Sequence, residues 1–317
     1  FIVCKRTTAS GISRLGIVLA VDLEDYCFTH PSNAHIRSTE GVVLDRIPPR
    51  LKIRQDAPVE LPHIMLLIDD RKHSVIEPIW SERASLEKVY DFDLNMGGGH
   101  LEGYRIDAQK VIDVFENYVG SVQNLYGGDK NDFIFAVGDG NHSLATAQAH
   151  WNRIKEGLTE SEKAVHPARF ALCEVENLHD EGIVFEPIHR FVFGVGEDFV
   201  PYMQKALSGE KEIVAFDKNA EYKLHVDKIG AKAIKEVQDA IDAYIKEHSG
   251  CIVDYIHGIE HLKDVAAHND GVAIVMPKIE KEELFGYVLK NGTLCRKAFS
   301  MGEAEEKRYY FEAKRIK

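Results

Sequence analysis

Residues Phe133 to Trp151 read FIFAVGDGNHSLATAQAHW, and the period of the sequence changes within a few residues. An apolar run of the kind that fills a buried strand stops at Gly-Asp-Gly. Leu144, Ala147, Trp151, Ile154 and Leu158 then recur at helical spacing. A strand that feeds a helix through a glycine turn commits this stretch of the chain to layers of sheet and helix. Gly138 and Gly140 permit positive φ and close approach of another backbone or a ligand. The helix is expected to start near Asn141 or Ser143, where the first amides lack intrahelical partners. With the helix dipole, those donors form a ready anion site. His142 would add a proton donor, and Asp139 could hold a metal or a ribose hydroxyl. The competing reading is that Asp139, Asn141 and Ser143 only cap a helix after a tight turn. The P-loop pattern Gly-x-x-x-x-Gly-Lys-[Ser/Thr] is absent.

Elsewhere the pattern alternates between hairpins and helices. FIVCKRT and LGIVLAV read as one hairpin, and VYDFDLN and HLEGYRI, around Met-Gly-Gly-Gly, as a second. HIMLLIDD looks like a buried strand that ends in Asp69 and Asp70. Val111, Phe115, Tyr118, Val122 and Leu125 step along one helical face. ARFALCEV and GIVFEPIHRFVF read as strands, and AKAIKEVQDAIDAYIKEH as an amphipathic helix. CIVDYI and GVAIVM are further strands around a short helix near His261, and KEELFGYVLKNG is a helix with a glycine stop. This mixture predicts an α+β fold with mixed sheets. The polar stretch LTESEKAVHPA marks an expected boundary between a domain of residues 1–160 and a second region of residues 161–317. The chain opens inside a strand without an initiator Met, so its natural N-terminus is expected upstream.

The 317 residues carry a formal net charge of −12, which argues against a general nucleic-acid binder whose affinity comes from neutralising phosphates. Five scattered cysteines without a Cys-x-x-Cys pair give neither a disulfide framework nor a zinc knuckle, and a reducing cytoplasm is the expected setting. No apolar stretch has the length that spans a bilayer.

Further candidates lie outside the glycine turn. FEPIHRFVF sets His189 and Arg190 in an apolar strand. An Arg there must be paired, exposed on an edge strand or facing a ligand, and its fork suits phosphate or carboxylate. On the ligand-facing reading, Arg190→Ala would weaken nucleotide binding and spare stability. RSTEGVVLDRIPPRLKIR concentrates Arg37, Glu40, Asp45, Arg46, Arg50 and Arg54, with two prolines at an expected helix start. It is either an anion-holding cluster or a solvated charged helix. His100, Glu102 and Arg105 follow three glycines, Lys297 and Ser300 sit in LCRKAFSMG, and Asp69 and Asp70 are candidate Mg²⁺ ligands or ordinary turn acids. HGIEH, from His257 to His261, matches a zinc-peptidase pattern. Gly258 and the preceding strand put His257 before the helix, which argues against zinc chemistry.

Taken in order, these segments resemble a large microbial family of unassigned function. GDGNHSLATA is similar to its Asp-Gly-His-His-Arg motif, EPIHR to its Pro-Thr-His-Arg element, GGGHLEGYRI to its His-centred strand, and LCRKAFSMG to its Lys-Ser-Thr-x-Phe segment. IRSTEGVVLDRIPPR resembles its region of Glu, Thr and Asp-Arg. That family is similar to the free serine kinases and to the partition-protein (ParB)/sulfiredoxin fold. The resemblance implies a nucleotide-binding core within residues 1–160, with residues 161–317 completing the cleft. It also implies ATP or ADP and Mg²⁺ as cofactors, and phosphoryl transfer to a small hydroxyl-bearing metabolite, free serine above all. Asp139, Gly140, Asn141, His142, Ser143, His100, His189 and Arg190 would bind the nucleotide, with Asp139 as the metal ligand. Glu40, His142, Arg190 and Lys297 would serve catalysis, Glu40 as the base. Asn141 stands where the family often has His, and Ser143 where it has Arg. The alternative is a nucleotide-responsive binding module without turnover. Partners expected are nucleotide and small substrate, with a homodimer possible and neither membrane nor nucleic acid.

Overall fold

The computed structural model describes residues 1–126, 133–302 and 307–317. The chain divides into two compact units. Unit 1 comprises residues 1–184, 288–293 and 303–317, and unit 2 comprises 185–287 and 294–302.

In unit 1 the hairpin β1 (Ile2–Thr7) and β2 (Ser13–Asp22) leads through β3 (Tyr26–Cys27) and β4 (Ile36–Ser38) to helix α1 (Ile47–Arg54). Then come β5 (Val59–Glu60), β6 (Met65–Ile68), α2 (Ile76–Ser81) and the hairpin β7 (Glu87–Asp93) with β8 (His100–Arg105). Helix α3 (Ala108–Leu125), β9 (Phe135–Asp139), α4 (Asn141–Lys155), α5 (Glu160–Val165) and β10 (Phe170–Asn177) complete the main run. The stretch LTESEKAVHPA thus falls in and around α5, inside unit 1. Nine strands form one sheet in the order β3-β4-β9-β6-β10-β2-β1-β8-β7. β3, β4 and β9 run parallel, as do β6 and β10, and the other pairings are antiparallel.

Alternation along the strands gives this sheet two different faces. Ala171, Cys173 and Val175 of β10, with Val3 and Ile17, join the main core, into which α3 sends Val111, Tyr118 and Val122 and α4 sends Leu144, Ala147 and Trp151. Each large apolar side chain so buried contributes roughly 1.5–3 kcal/mol. The intervening residues of β10 are Leu172, Glu174 and Glu176. Leu172 packs in a smaller cluster with Cys4, Val18, Leu94 and Leu101, on which Tyr309 rests. Glu174 and Glu176 are buried charges, met by Arg308 and Arg14, each at 2.9 Å. Gly16 makes room for them, since a Cβ there would lie 2.4 Å from Glu174 Oε1.

Unit 2 is built on β11 (Phe185–Phe193), α6 (Phe199–Ala206), the hairpin β12 (Lys211–Phe216) and β13 (Glu221–Val226), and α7 (Ala231–Glu247). It continues with β14 (Ile252–His257), α8 (Ile259–His268), β15 (Gly271–Ile274), α9 (Glu283–Asn291) and β16 (Phe299–Met301). The last turn of α9 counts with unit 1, where β17 (Lys314–Arg315) pairs with β5. The sheet of unit 2 is antiparallel, in the order β13-β12-β15-β11-β14 with β16 also on β11. The fold is therefore α+β, with a mixed sheet in unit 1. The hairpin β12–β13 has little signal in the sequence, because KEIVAF and EYKLHV mix charge into both faces of short strands. His257 ends β14 and Gly258, at φ 80°, precedes α8, so HGIEH does not lie on one helical face.

Asp69 locks the far end of the mixed sheet. Its buried carboxylate accepts from His179 Nε2 at 2.5 Å, from Arg71 Nε at 3.2 Å and from the Tyr126 hydroxyl. Asp69 N–H donates to Tyr118 Oη at 2.8 Å. Burial pushes this carboxyl upward, but the hydrogen bonds from His179, Tyr126 and Arg71 outweigh it and hold it below its ordinary value. Asp69→Ala is expected to cost roughly 3 kcal/mol in urea unfolding, because three donors lose their common acceptor. A carboxyl depressed in the folded state stabilises fully above the unfolded pKa of about 4 and loses that contribution as pH falls through the folded value. The stability gap between wild type and Asp69→Asn should therefore narrow below about pH 4. A gap unchanged down to about pH 2 would show that Asp69 does not titrate as described.

Candidate functional site

The glycine turn sits where β9 ends and α4 begins. Gly140 is the N-cap at φ 87°, ψ 19°, a left-handed conformation that costs little without a Cβ. A Cβ there would also lie 3.0 Å from the Ile64 backbone. No side chain caps this helix, so the simple capping reading of Asp139, Asn141 and Ser143 fails. Gly140 N–H donates to Asp139 Oδ1 at 2.7 Å, and the first helical bond runs from Leu144 N–H to Gly140 O. The amides of Asn141, His142 and Ser143 thus precede the i to i−4 ladder and have no intrahelical carbonyl. Gly140 supplies the bend, not an expected phosphate donor.

Asn141 is used differently from the expectation that it binds nucleotide. Its carboxamide is buried: Oδ1 accepts from the Ser38 hydroxyl and from Thr39 N–H at 3.3 Å, and Nδ2 donates to Val137 O at 3.5 Å. The Thr39 hydroxyl donates to the same carbonyl at 2.6 Å. His142 Nε2 accepts from Val43 N–H at 3.0 Å, so the ring is neutral there with its proton on Nδ1. Segment 38–43 is in this way bolted to the turn at both ends. Glu40, half-buried, lies along the chain between the two bolted positions.

Positive charge gathers at the same place. Lys307 Nζ lies 2.9 Å from Asp139 Oδ2. The His63 ring is held below its ordinary pKa, first by burial and further by Lys307, Arg308 and Arg50, while Asp139 pulls the other way. Arg50 comes from the IPPR helix start, where both prolines sit in the first turn of α1. As for a metal, Asp139 offers one carboxylate oxygen, and no group of three or more His, Cys, Asp or Glu that could hold an ion occurs among the described residues. One carboxylate suits Mg²⁺ delivered on phosphates, not a dedicated protein cage.

The remaining candidates have partners of their own. His100 is on β8, its ring bonded by Asp93 at 2.7 Å and Asp91 at 2.9 Å on the neighbouring strand of its own hairpin. Those two carboxylates raise its pKa, Asp93 foremost. Along β8 its side alternates with Leu101, which faces the Tyr309-covered cluster. His189, Arg190 and Lys297 belong to unit 2. His189 is buried and accepts from Met276 N–H at 3.1 Å, and burial lowers its pKa to about 4, so it is a neutral acceptor. Lys297 is exposed and holds φ 54°, a conformation that is strained for a residue with a side chain.

Arg190 overturns both the edge-strand reading and the ligand-facing one. β11 is flanked by β14 and β15, and Arg190 is 0% exposed. Its Nε donates to Gln238 Oε1 at 2.7 Å, Nη1 to Ile188 O at 2.6 Å and Nη2 to Arg296 O at 3.3 Å, with the guanidinium 4.6 Å from the Tyr255 ring centre. These bonds satisfy the fork within unit 2. Removing it leaves buried acceptors unmet, so Arg190→Ala is expected to lower unfolding stability by roughly 2–4 kcal/mol. An unchanged denaturant midpoint would refute that structural role.

Residues 1–294 match the family described as "Protein of unknown function (DUF1015)", and the chain belongs to that family. Among solved structures it is similar to a free serine kinase in complex with AMP, at TM-score 0.50 and 11% identity over 94% of this chain and 92% of that one. A free serine kinase with a glutamate-to-alanine substitution, in complex with ADP, gives TM-score 0.51 at 9% identity over the same shares. At such identity the likeness is one of fold. No curated protein matches the chain. No helix among the described residues is long and apolar enough to cross a membrane.

Proposed function

We propose that this member of the family is a nucleotide-dependent phosphotransferase that uses ATP or ADP, and that its acceptor is a small hydroxyl-bearing metabolite, free serine first among candidates. The observation that carries the reading is the bolting of segment 38–43 to the turn through Asn141 and His142. It ties the segment that carries Glu40 to the turn where the helix-start amides lie. Phosphoryl transfer asks a protein mainly to align donor and acceptor and to neutralise developing charge. On this reading the amides of Asn141, His142 and Ser143 hold phosphate oxygens. The acceptor oxygen bonds to the terminal phosphorus as the bond to the nucleotide's bridging oxygen breaks. The acceptor's proton goes to Glu40, and the nucleotide leaves with one phosphate fewer. Mg²⁺ carried on the phosphates would be held by Asp139, where it supplies charge neutralisation. The fold shared with nucleotide-bound free serine kinases supports the class of reaction.

Thermal-shift titration with ATP, ADP, CTP and GTP, followed by phosphorus NMR with a panel of hydroxy amino acids, tests the proposal. Stabilisation by ATP or ADP and a new phosphate ester are expected. Stabilisation without an ester would favour a nucleotide-responsive binding module, and no response to any nucleotide would end both readings. A sharper variant is Ser143→Asp. An acid in the first turn favours the helix dipole by about 0.3–1 kcal/mol, so the melting temperature should hold or rise slightly. The same charge should repel phosphate and weaken ATP binding by about tenfold or more.

A further inference from the structure

We propose that Lys307, which lies beyond the residues that match the family, is a phosphate-binding residue of this site. The inference rests on the reading of the glycine turn given above. In the structure Lys307 Nζ lies 2.9 Å from Asp139 Oδ2, and Asp139 Oδ1 is already turned to Gly140 N–H. The ammonium is thereby placed on the residue that precedes the bend.

An exposed Lys–Asp pair is ordinarily worth little and holds no fixed geometry. This Lys is different because its own carbonyl and the residue after it are anchored. Lys307 O accepts from Nη1 of the buried Arg6, whose Nε and Nη2 donate to Gly98 O at 3.3 and 3.1 Å. The next residue, Arg308, inserts a side chain that is 1% exposed, bonded to Glu174 at 2.9 Å, to Glu312 at 2.7 Å and to Pro62 O. That buried anchor is what brings residue 307 to Asp139, 168 positions earlier in the chain. Arg50 and Arg308 act on His63 together with Lys307. With nucleotide bound, the ammonium of Lys307 would turn from the Asp139 carboxylate to a phosphate oxygen, and Asp139 would be left to hold a Mg²⁺ that neutralises phosphate charge. The pair seen here is the resting contact of a cation whose partner in the complex is the ligand. A Lys is a compact point charge with rotatable donors, suited to follow a phosphate that moves.

The test is calorimetric titration of the full chain with adenosine, AMP, ADP and ATP, for the wild type, Lys307→Ala and Lys307→Arg. Lys307→Ala should weaken ATP and ADP by about tenfold or more, leave adenosine within about twofold, and leave the melting temperature unchanged. Lys307→Arg should restore most of the lost affinity. Equal affinity of Lys307→Ala and wild type for ATP would overturn the inference while leaving the function standing. Tighter binding by Lys307→Ala would also overturn it, because Lys307 would then be a competitor for Asp139. An equal loss for adenosine and ATP would mark a structural role and overturn it as well. A wild type that binds no nucleotide defeats both this inference and the function on which it rests.

Discussion

A buried carboxamide has to be met on each side or it destabilises the fold by its lost hydration. Asn141 meets that demand by joining three pieces of chain: Ser38 and Thr39 donate to its oxygen, and its nitrogen donates to Val137 O. β4 and β9 run parallel, so no tight hairpin can set their register. The Asn141 bolt adds side-chain bonds to the short ladder at the end where the turn begins. The entry of α4, the path of residues 39–43 and the position of the His142 ring all follow from it. An imidazole at 141 has one ring donor and one ring acceptor when neutral, and could not reproduce the two donors and the carbonyl oxygen of the amide. Asn141 is thus the residue on which the local architecture turns.

The second constraint is electrostatic and lies across the sheet from the helices. Glu174 and Glu176 point to the same side of β10, and each needs a cation, because a lone buried carboxylate is too costly to keep. Arg14 comes from the neighbouring strand. Arg308 comes from the C-terminal segment, which thereby gains a fixed seat on the sheet. Burial pushes the Glu176 carboxyl upward even with Arg14 beside it. The same seat fixes Tyr309 over Leu94 and Leu101 and brings Lys307 to Asp139. A charge pair required by the core is therefore also what places a cation at the turn.

Much of this is legible in the sequence where chemistry is local. Both hairpins at the N-terminal side, the faces of α3 and α4, the IPPR helix start and the glycine bend follow from patterns within about ten residues. What escapes is what depends on partners far away in sequence. Arg190 reads as either an edge residue or a ligand contact because FEPIHRFVF does not reveal that strands will flank it on both sides, and Gln238 and Tyr255 are invisible from that segment. His189 and His100 have the residue type of a phosphate ligand, but a backbone N–H claims one and two aspartates the other. Asn141 resembles a ligand because its motif neighbours do. Lys307 carries no local signal at all, since nothing in EKRYYF shows that Arg308 will be drawn to Glu174.

The distribution of charge around the turn bears on why a fold of this kind tolerates such divergence. Helix-start amides and a glycine in the left-handed region come from the backbone and do not depend on which side chains surround them. A cation can then be brought to such a turn from any segment that the core happens to hold nearby, because a point charge specifies distance more than direction. Ser143 offers no cation of its own, and the positive charge at this turn comes instead from α1 and from the C-terminal segment. An identity of about one residue in ten with structures of the same fold is compatible with this division. In this chain the backbone supplies the bend, and the buried pair of Arg308 with Glu174 fixes where the Lys307 charge arrives.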